Sequence, residues 1–438
     1  MTNTEILTAI HTVLTEQMAH AHMDGFGLEA RLNEDLYLDS VLILQIFLNL
    51  ELEYGLSVRE EAIARQDIAT VADLVALYAP KTTAVTVPAF ALTGGMTDEG
   101  VHGEAYHDIK VHCFVSCVCD GLKRQGLDQR PFYFGVWDAK FSVSDRFQLL
   151  YHTQEISQEF FRQWFQRLYG VTVREWFDPD KTKIENLAVL LDLVRNRAKT
   201  GSVMVMLDMF HLPERENKFN QNPFPHYLML QETPDTETWF VHDPDYRWEG
   251  EIAREKVVHA IMQPTVGGGY VFDRAEAKAP SAEELKAYFE ACFLEDSNPL
   301  VDAVRKIVSV HIGGTDGIAL SDLAAAVREL PVITIRKYAY EHGFAFFWRA
   351  LKLPAAEFET WCAEIEALVQ SLKTLHYACM KLSQSGDRAL APTVFDRLDE
   401  AGRLETNLKA KLAEIFVLWC ERNIPEPIEV PILKRVAR

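Results

Sequence analysis

Three residues from separate segments could together make an activated sulfur nucleophile. Cys113 stands at the head of a helix-forming run, Cys113 to Gln125, which Gly126 closes. A helix start favours a thiolate through its free N–H groups and its dipole. His226 opens one extended run and Asp243 ends another, Thr238 to Asp243. Both runs are rich in β-formers and a Pro234-Asp235 turn separates them, so they are expected to pair antiparallel. That pairing would set imidazole beside carboxylate, the base and its orienting group for acyl transfer through a thiolate. The plainer reading makes Cys117 and Cys119 small buried helix residues. A metal site on His112, Cys113, Cys117 and Cys119 is disfavoured and no metal is expected, because the three cysteines fall at i, i+4 and i+6 and the last points elsewhere.

Ser40 is the second candidate. In Asp35-Leu-Tyr-Leu-Asp39-Ser40-Val41-Leu42 the serine begins a helix directly after an aspartate. A helix N-terminus favours a phosphate nearby, although simple capping by Asp39 or Ser40 explains the same pattern. Around it, residues 1–79 read as a small all-α, four-helix bundle. Ile6, Ile10, Val13 and Leu14 share one helix face, and a polar loop runs from His20 to Leu32. Gly55 stops the Ser40 helix, and Thr70 caps a last short one.

The remaining chain must position these groups. Its 438 residues imply two or three domains. Residues 80–95 hold prolines, threonines and glycines and read as a linker. Residues 96–275 mix helices with extended runs, including Val203 to Leu207, which makes an α+β unit. Residues 276–438 are nearly all helical, with long periodic stretches from Glu357 to Lys381 and from Pro392 to Arg422. This C-terminal region shows no chemical motif; shaping a cleft or building a homo-oligomer would suit it.

The net charge of −20 argues against nucleic acid and suits cationic partners, though solubility alone would account for it equally well. No apolar run reaches a membrane span, and the first ten residues lack a secretory pattern. The odd set of seven scattered cysteines fits a reducing cytoplasm.

On the Asp39-Ser40-Val41-Leu42 core, with its helix order and length, residues 1–79 resemble acyl and peptidyl carrier proteins. The resemblance implies 4′-phosphopantetheine on Ser40, attached by a phosphopantetheinyl transferase. The family's usual leucine after the serine is Val41 here. Thirteen acidic against three basic residues leave this segment at −10, and carriers are typically acidic. The helix from Val41 to Leu52 carries more apolar residues than one core stripe requires, which suits a docking surface.

Residues 105–275 resemble the N-terminal, papain-like domain of the butirosin-biosynthesis acyltransferase H family. The likeness rests on His112-Cys113 leading to Gly126, Val205 to Pro213, Pro225-His226-Tyr227 and His242-Asp243-Pro244. It implies Cys113 as nucleophile, His226 as base and Asp243 as orienter. Papain-like enzymes usually place a glutamine about six residues before the cysteine; this chain has His107 there. His107 or His112, with the Cys113 N–H, would then serve the oxyanion, and Asp208 would contact substrate or be structural.

The carrier followed by this domain resembles a fusion of the aryl carrier (D) and condensing (E) proteins of petrobactin-siderophore biosynthesis. That implies a 3,4-dihydroxybenzoyl group loaded by an aryl-acid adenylating ligase and passed to a polyamine such as spermidine, forming an amide. Asp138, Asp208, Glu214 or Asp245 would hold the cationic acceptor. The rivals are a thioesterase or cysteine hydrolase with the same triad, and a carrier scaffold without catalysis.

Overall fold

The computed structural model of the chain describes residues 1–38, 40–59, 63, 68–78, 111–153, 156–212, 222–314 and 317–424. The linker expected at 80–95, with Asp39, His107 and Glu214, lies outside them. No described helix is long and apolar enough to cross a membrane.

Helix α1 (Asn3–Thr12) begins with a reciprocal cap: the Thr2 hydroxyl accepts from the Glu5 N–H, and the Glu5 carboxylate accepts from the Thr2 N–H. Ile6, Ile10, Val13 and Leu14 are fully buried against Phe47 and Leu48 of α2 (Ser40–Tyr54) and Leu74 of α3 (Val71–Tyr78). Gly55 ends α2 in the left-handed region, at φ +65°, where a side chain would be strained. Thr70 starts α3, its hydroxyl accepting from the Asp73 N–H. Three helices are therefore described where a four-helix bundle was expected; residues 60–67, apart from Ile63, lie outside the described residues.

The middle segment forms a six-stranded antiparallel sheet. Its strands are β1 (Arg174–Glu175), β2 (Gly201–Asp208), β3 (Pro225–Glu232), β4 (Thr238–Asp243), β5 (Trp248–Ala253) and β6 (Gly269–Asp273), in the order β1-β6-β2-β3-β4-β5. Both faces of its centre are apolar, which is why β2 and β3 read as continuous hydrophobic runs. Val203, Val205, Leu207, Leu228 and Leu230 enter one core, which includes Leu190 and Val194 of the helix Lys183–Arg195 and Val257 of Arg254–Ile261. Met204, Met206, Tyr227 and Met229 face the opposite core, which includes α4 (Cys113–Lys123).

That second core does not stop at the sheet. It runs through Trp137 and Tyr288 into the helices α5 (Ala339–Leu351), α6 (Ala355–Ser385) and α7 (Ala391–Asn423). The α+β unit and the helical region are thus separate in sequence and continuous in packing. A buried ion cluster fastens the same joint. Lys337 Nζ lies 2.8 Å from Asp138 and 2.5 Å from Glu405, and Lys409 Nζ lies 2.8 Å from the other Asp138 oxygen. Asp138, considered for the cationic acceptor, is instead used up by two lysines in the interior.

The N-terminal bundle rests on α6. Glu51 of α2 accepts hydrogen bonds from Tyr377 Oη and Lys381 Nζ, each at 2.8 Å, and Gln45 meets Gln384. Tyr377 and Met380 are buried in the bundle's own hydrophobic cluster. The surplus apolar surface of α2 therefore has an occupant within the chain.

Candidate active site

Helix α4 starts at Cys113 because His112 takes extended backbone, φ −169°, and Val111 and His112 turn their amides outward. Asp245 collects them. Its Oδ1 accepts from the Val111 and His112 N–H groups, each at 3.1 Å, and from the Ser116 hydroxyl at 2.7 Å. A carboxylate at a helix start is favoured by the dipole as well as by these bonds. Burial pushes the Asp245 carboxyl up, while the His226 charge and the bond from Ser116 oppose the shift. Asp245 lines the cavity considered below, but its bonds make it the fastening of the nucleophile helix. Cys117 lies one turn along on the buried side, its Sγ 3.7 Å from the Tyr227 carbonyl, which ties α4 to β3.

His226 and Asp243 meet as the strand pairing requires. The β3–β4 register, from Glu232 opposite Trp239 to Met229 opposite His242, brings His226 and Asp243 to the same end of the sheet. Nε2 of His226 donates to Asp243 Oδ1 at 3.0 Å, and the Tyr246 N–H reaches the same oxygen at 3.3 Å. With Nε2 committed, Nδ1 is the nitrogen left for the Cys113 thiol. Burial of the ring works against its charged form. The Asp243 carboxylate, by charge and hydrogen bond, and then Cys113 outweigh that, and the His226 pKa stands well above the usual imidazole value. Asp243 is wholly buried, whereas Cys113 is half-buried. The sulfur is neither remote from the imidazole nor sealed in the interior.

A small cavity of about 70 Å³ opens at this point, lined by Cys113, His226, Tyr151, His152 and Phe224 together with Arg336 from the helical region. His112 also lines it. Its Nδ1 is buried and has no hydrogen-bond partner among the described residues. Burial and the Arg336 charge pull its pKa down to about 3, so the ring is neutral. A larger cavity, about 340 Å³, shares Val111 and Asp245 with the first and is lined by Asp120, Lys123, His242 and Glu249. Neither Cys113 nor His226 lines it.

Asp208 has a different duty. One oxygen accepts from the Phe210 and Phe224 N–H groups at 3.2 and 2.8 Å, and the other from the Thr265 hydroxyl at 3.1 Å. It pins the segment that leads into His226, so it takes the structural alternative rather than a substrate contact. Among the described residues no cluster of three or more His, Cys, Asp or Glu could hold a metal ion.

Sequence reasoning missed Arg336 and misjudged Asp245. Arg336-Lys337 interrupts the apolar stretch from Leu330 to Tyr340, and two basic residues inside such a stretch were a readable signal of buried cations. Nothing local distinguishes Asp245 from any turn aspartate.

Fold and site together define a multidomain protein with mixed sheet and helix, a helical C-terminal region and a half-buried cysteine beside a buried His–Asp pair. The DUF6005 N-terminal domain matches residues 108–277, and the DUF6005 C-terminal domain matches 283–430. Over 323 residues the chain is 40% identical to petrobactin synthase of Bacillus anthracis, covering 74% of this chain and 99% of that protein. The chain belongs to this family. A further match, 33% identical over 67 residues, is to acyl carrier protein AsbD of the same organism; it covers 15% of this chain and 74% of the carrier.

Proposed function

We propose that the chain is a carrier-dependent N-acyltransferase of siderophore assembly that joins an aryl acid held as a thioester on Ser40 to a polyamine. The observation that carries this reading is the Cys113–His226–Asp243 grouping at one cavity, in a chain similar both to a petrobactin synthase and to an acyl carrier.

The carrier half fits its cofactor. Ser40 begins α2 on a helical bundle whose core is completed by Tyr377 and Met380 of α6, and a helix start suits a phosphodiester. Held there, 4′-phosphopantetheine supplies a flexible thiol on which the acyl group travels. An aryl-acid adenylating ligase and a phosphopantetheinyl transferase are the implied partners, and 3,4-dihydroxybenzoate and spermidine the acyl group and acceptor that the petrobactin synthase likeness favours. A tether raises the local concentration of the acyl donor to roughly millimolar.

His226, kept cationic by Asp243, pairs with the Cys113 thiolate, which attacks the thioester carbonyl. The α4 start leaves the Cys113 N–H without an intrahelical acceptor, so it can face the oxyanion. His226 then protonates the departing thiol. Neutral after that step, it takes the proton of the attacking amine as the amide forms. Asp120 and Glu249, in the lining of the larger cavity, suit the cationic remainder of the acceptor.

Intact mass spectrometry tests this. After phosphopantetheinylation and loading, spermidine should discharge the acyl group as an amide in the wild type, and not in Cys113→Ala. Free acid released equally fast with and without amine would establish a hydrolase instead. Amide formed at the wild-type rate by Cys113→Ala would leave only a carrier.

A further inference from the structure

Arg336 is a cation with no ion-pair partner among the described residues, in a place where the proposed reaction makes an anion. It lies at the end of the C-terminal region's approach to the site, only 6% exposed, and lines the same cavity as Cys113 and His226. Its Nη1 donates to the carbonyls of Ala139 and Lys140 at 3.2 and 3.3 Å, and Nη2 reaches the Tyr151 carbonyl at 3.4 Å. A guanidinium has five N–H donors, so Nε and one Nη2 hydrogen remain without an acceptor among the described residues. The neighbouring carboxylates are occupied elsewhere. Glu329 accepts the Tyr151 N–H at 2.7 Å, and Asp245 is taken by the α4 start. Burial pulls the Arg336 pKa down to about 10, with Cys113 foremost among the groups that oppose the fall. It is charged at neutral pH.

A buried charge of this kind is costly unless something compensates it. Neutral carbonyls hold the plane of the guanidinium but do not balance its charge. We propose that Arg336 stabilises the tetrahedral oxyanion formed at Cys113, reaching into the site from the helical region. This rests on the acyl-transfer reading above. The Cys113 sulfur bonds to the thioester carbon, and the carbonyl π pair moves onto oxygen, which becomes the anion facing Arg336. Collapse re-forms the C=O bond and breaks the bond to the departing sulfur, which takes its proton from His226. The amine then adds to the acyl-cysteine, the same oxygen becomes anionic again, and the Cys113 thiolate leaves as the amide forms and His226 takes the amine proton. Arg336 thereby supplies the donor that the sequence would have sought in His107, while neutral His112 beside it contributes no charge.

The test uses the full-length chain with a small aryl thioester and spermidine, so that carrier docking does not enter. Arg336→Met is expected to lower kcat roughly 10²- to 10³-fold, the usual effect of removing one oxyanion donor, with KM changed only a few-fold. Arg336→Lys, which keeps the charge but loses the forked donor geometry, should recover only to about a tenth of the wild-type kcat. In both variants the rate of Cys113 alkylation, followed by peptide mass, should stay within about threefold of wild type, which a merely structural role would not preserve. A kcat within about threefold of wild type in Arg336→Met overturns the proposal, as does equal loss of alkylation and turnover. Should Arg336→Met fail to fold, Arg336→Lys is read alone: a roughly tenfold fall in kcat with intact alkylation supports the proposal, and an unchanged kcat overturns it. Cys113→Ala run alongside keeps the two ideas apart, since turnover surviving there defeats the covalent reading itself.

Discussion

The Asp245 carboxylate lies 2.7 Å from the Ser116 hydroxyl, one turn into the helix that Cys113 begins. Asp245 follows Asp243 by two residues, so the single turn after β4 both orients the imidazole and fastens the nucleophile helix. The site holds together through this turn as much as through the strands. Asp245→Ala would leave two backbone amides and a hydroxyl without their acceptor in a buried place. A loss of about 2–3 kcal/mol is expected, measured by urea unfolding, together with slower alkylation of Cys113. Asp245→Asn retains an acceptor oxygen and should cost less than half as much.

The His226–Asp243 pair carries a signature in pH. The folded-state pKa of His226 is raised, so its contribution to stability is complete below the unfolded value of about 6.5 and fades as pH rises through the folded value. The stability gap between wild type and Asp243→Asn should therefore be widest below about pH 6.5 and narrow on the alkaline side. In the variant, burial is left as the dominant influence, and the ring should titrate below 6.5 by NMR. Turnover should fall roughly 10²- to 10⁴-fold. A ring that titrates unchanged in the variant would refute this account of the pair.

Glu51 and Lys381 join the N-terminal bundle to α6, and both are partly exposed, at 19% and 30% of their side-chain area. Such a pair is worth only about 1 kcal/mol or less, which suits a contact that must release. Glu51→Lys and Lys381→Glu are each expected to slow transfer from the loaded carrier several-fold and to leave turnover of a small free thioester unchanged. Combining them should restore part of the loss. Faster transfer in the single variants would identify the contact as a resting position.

The ion cluster at the joint predicts acid lability. Burial acts against the Asp138 carboxylate, yet Lys337 and Lys409 hold its pKa below the usual range. Its contribution is therefore present above about pH 4 and lost as pH falls through the folded value. Asp138→Ala should destabilise the protein by about 3–5 kcal/mol, because it leaves two buried lysines with the single carboxylate of Glu405 between them. Replacing Asp138, Lys337, Glu405 and Lys409 together by apolar residues of similar volume should cost far less. Urea unfolding of both variants checks the pair of expectations.

Much of the framework is written locally. The reciprocal cap at Thr2, the left-handed Gly55 and Gly126, the continuous apolar run of Val203 to Leu207 and the long period from Glu357 onward each follow from neighbours along the chain. Side-chain spacing and backbone conformation suffice for them. Cys113 at a helix start, His226 and Asp243 on adjacent strands and Ser40 heading α2 were likewise readable in sequence. What only packing decided is which distant groups share a cavity. Asp208, Asp138 and Asp245 are alike as aspartates and differ because their surroundings offer amides, ammonium groups or a helix start. Arg336 comes near Cys113 because one apolar core runs from the sheet through the C-terminal helices. Burial area and the need to satisfy buried polar groups are properties of the assembled chain, and no window of sequence contains them.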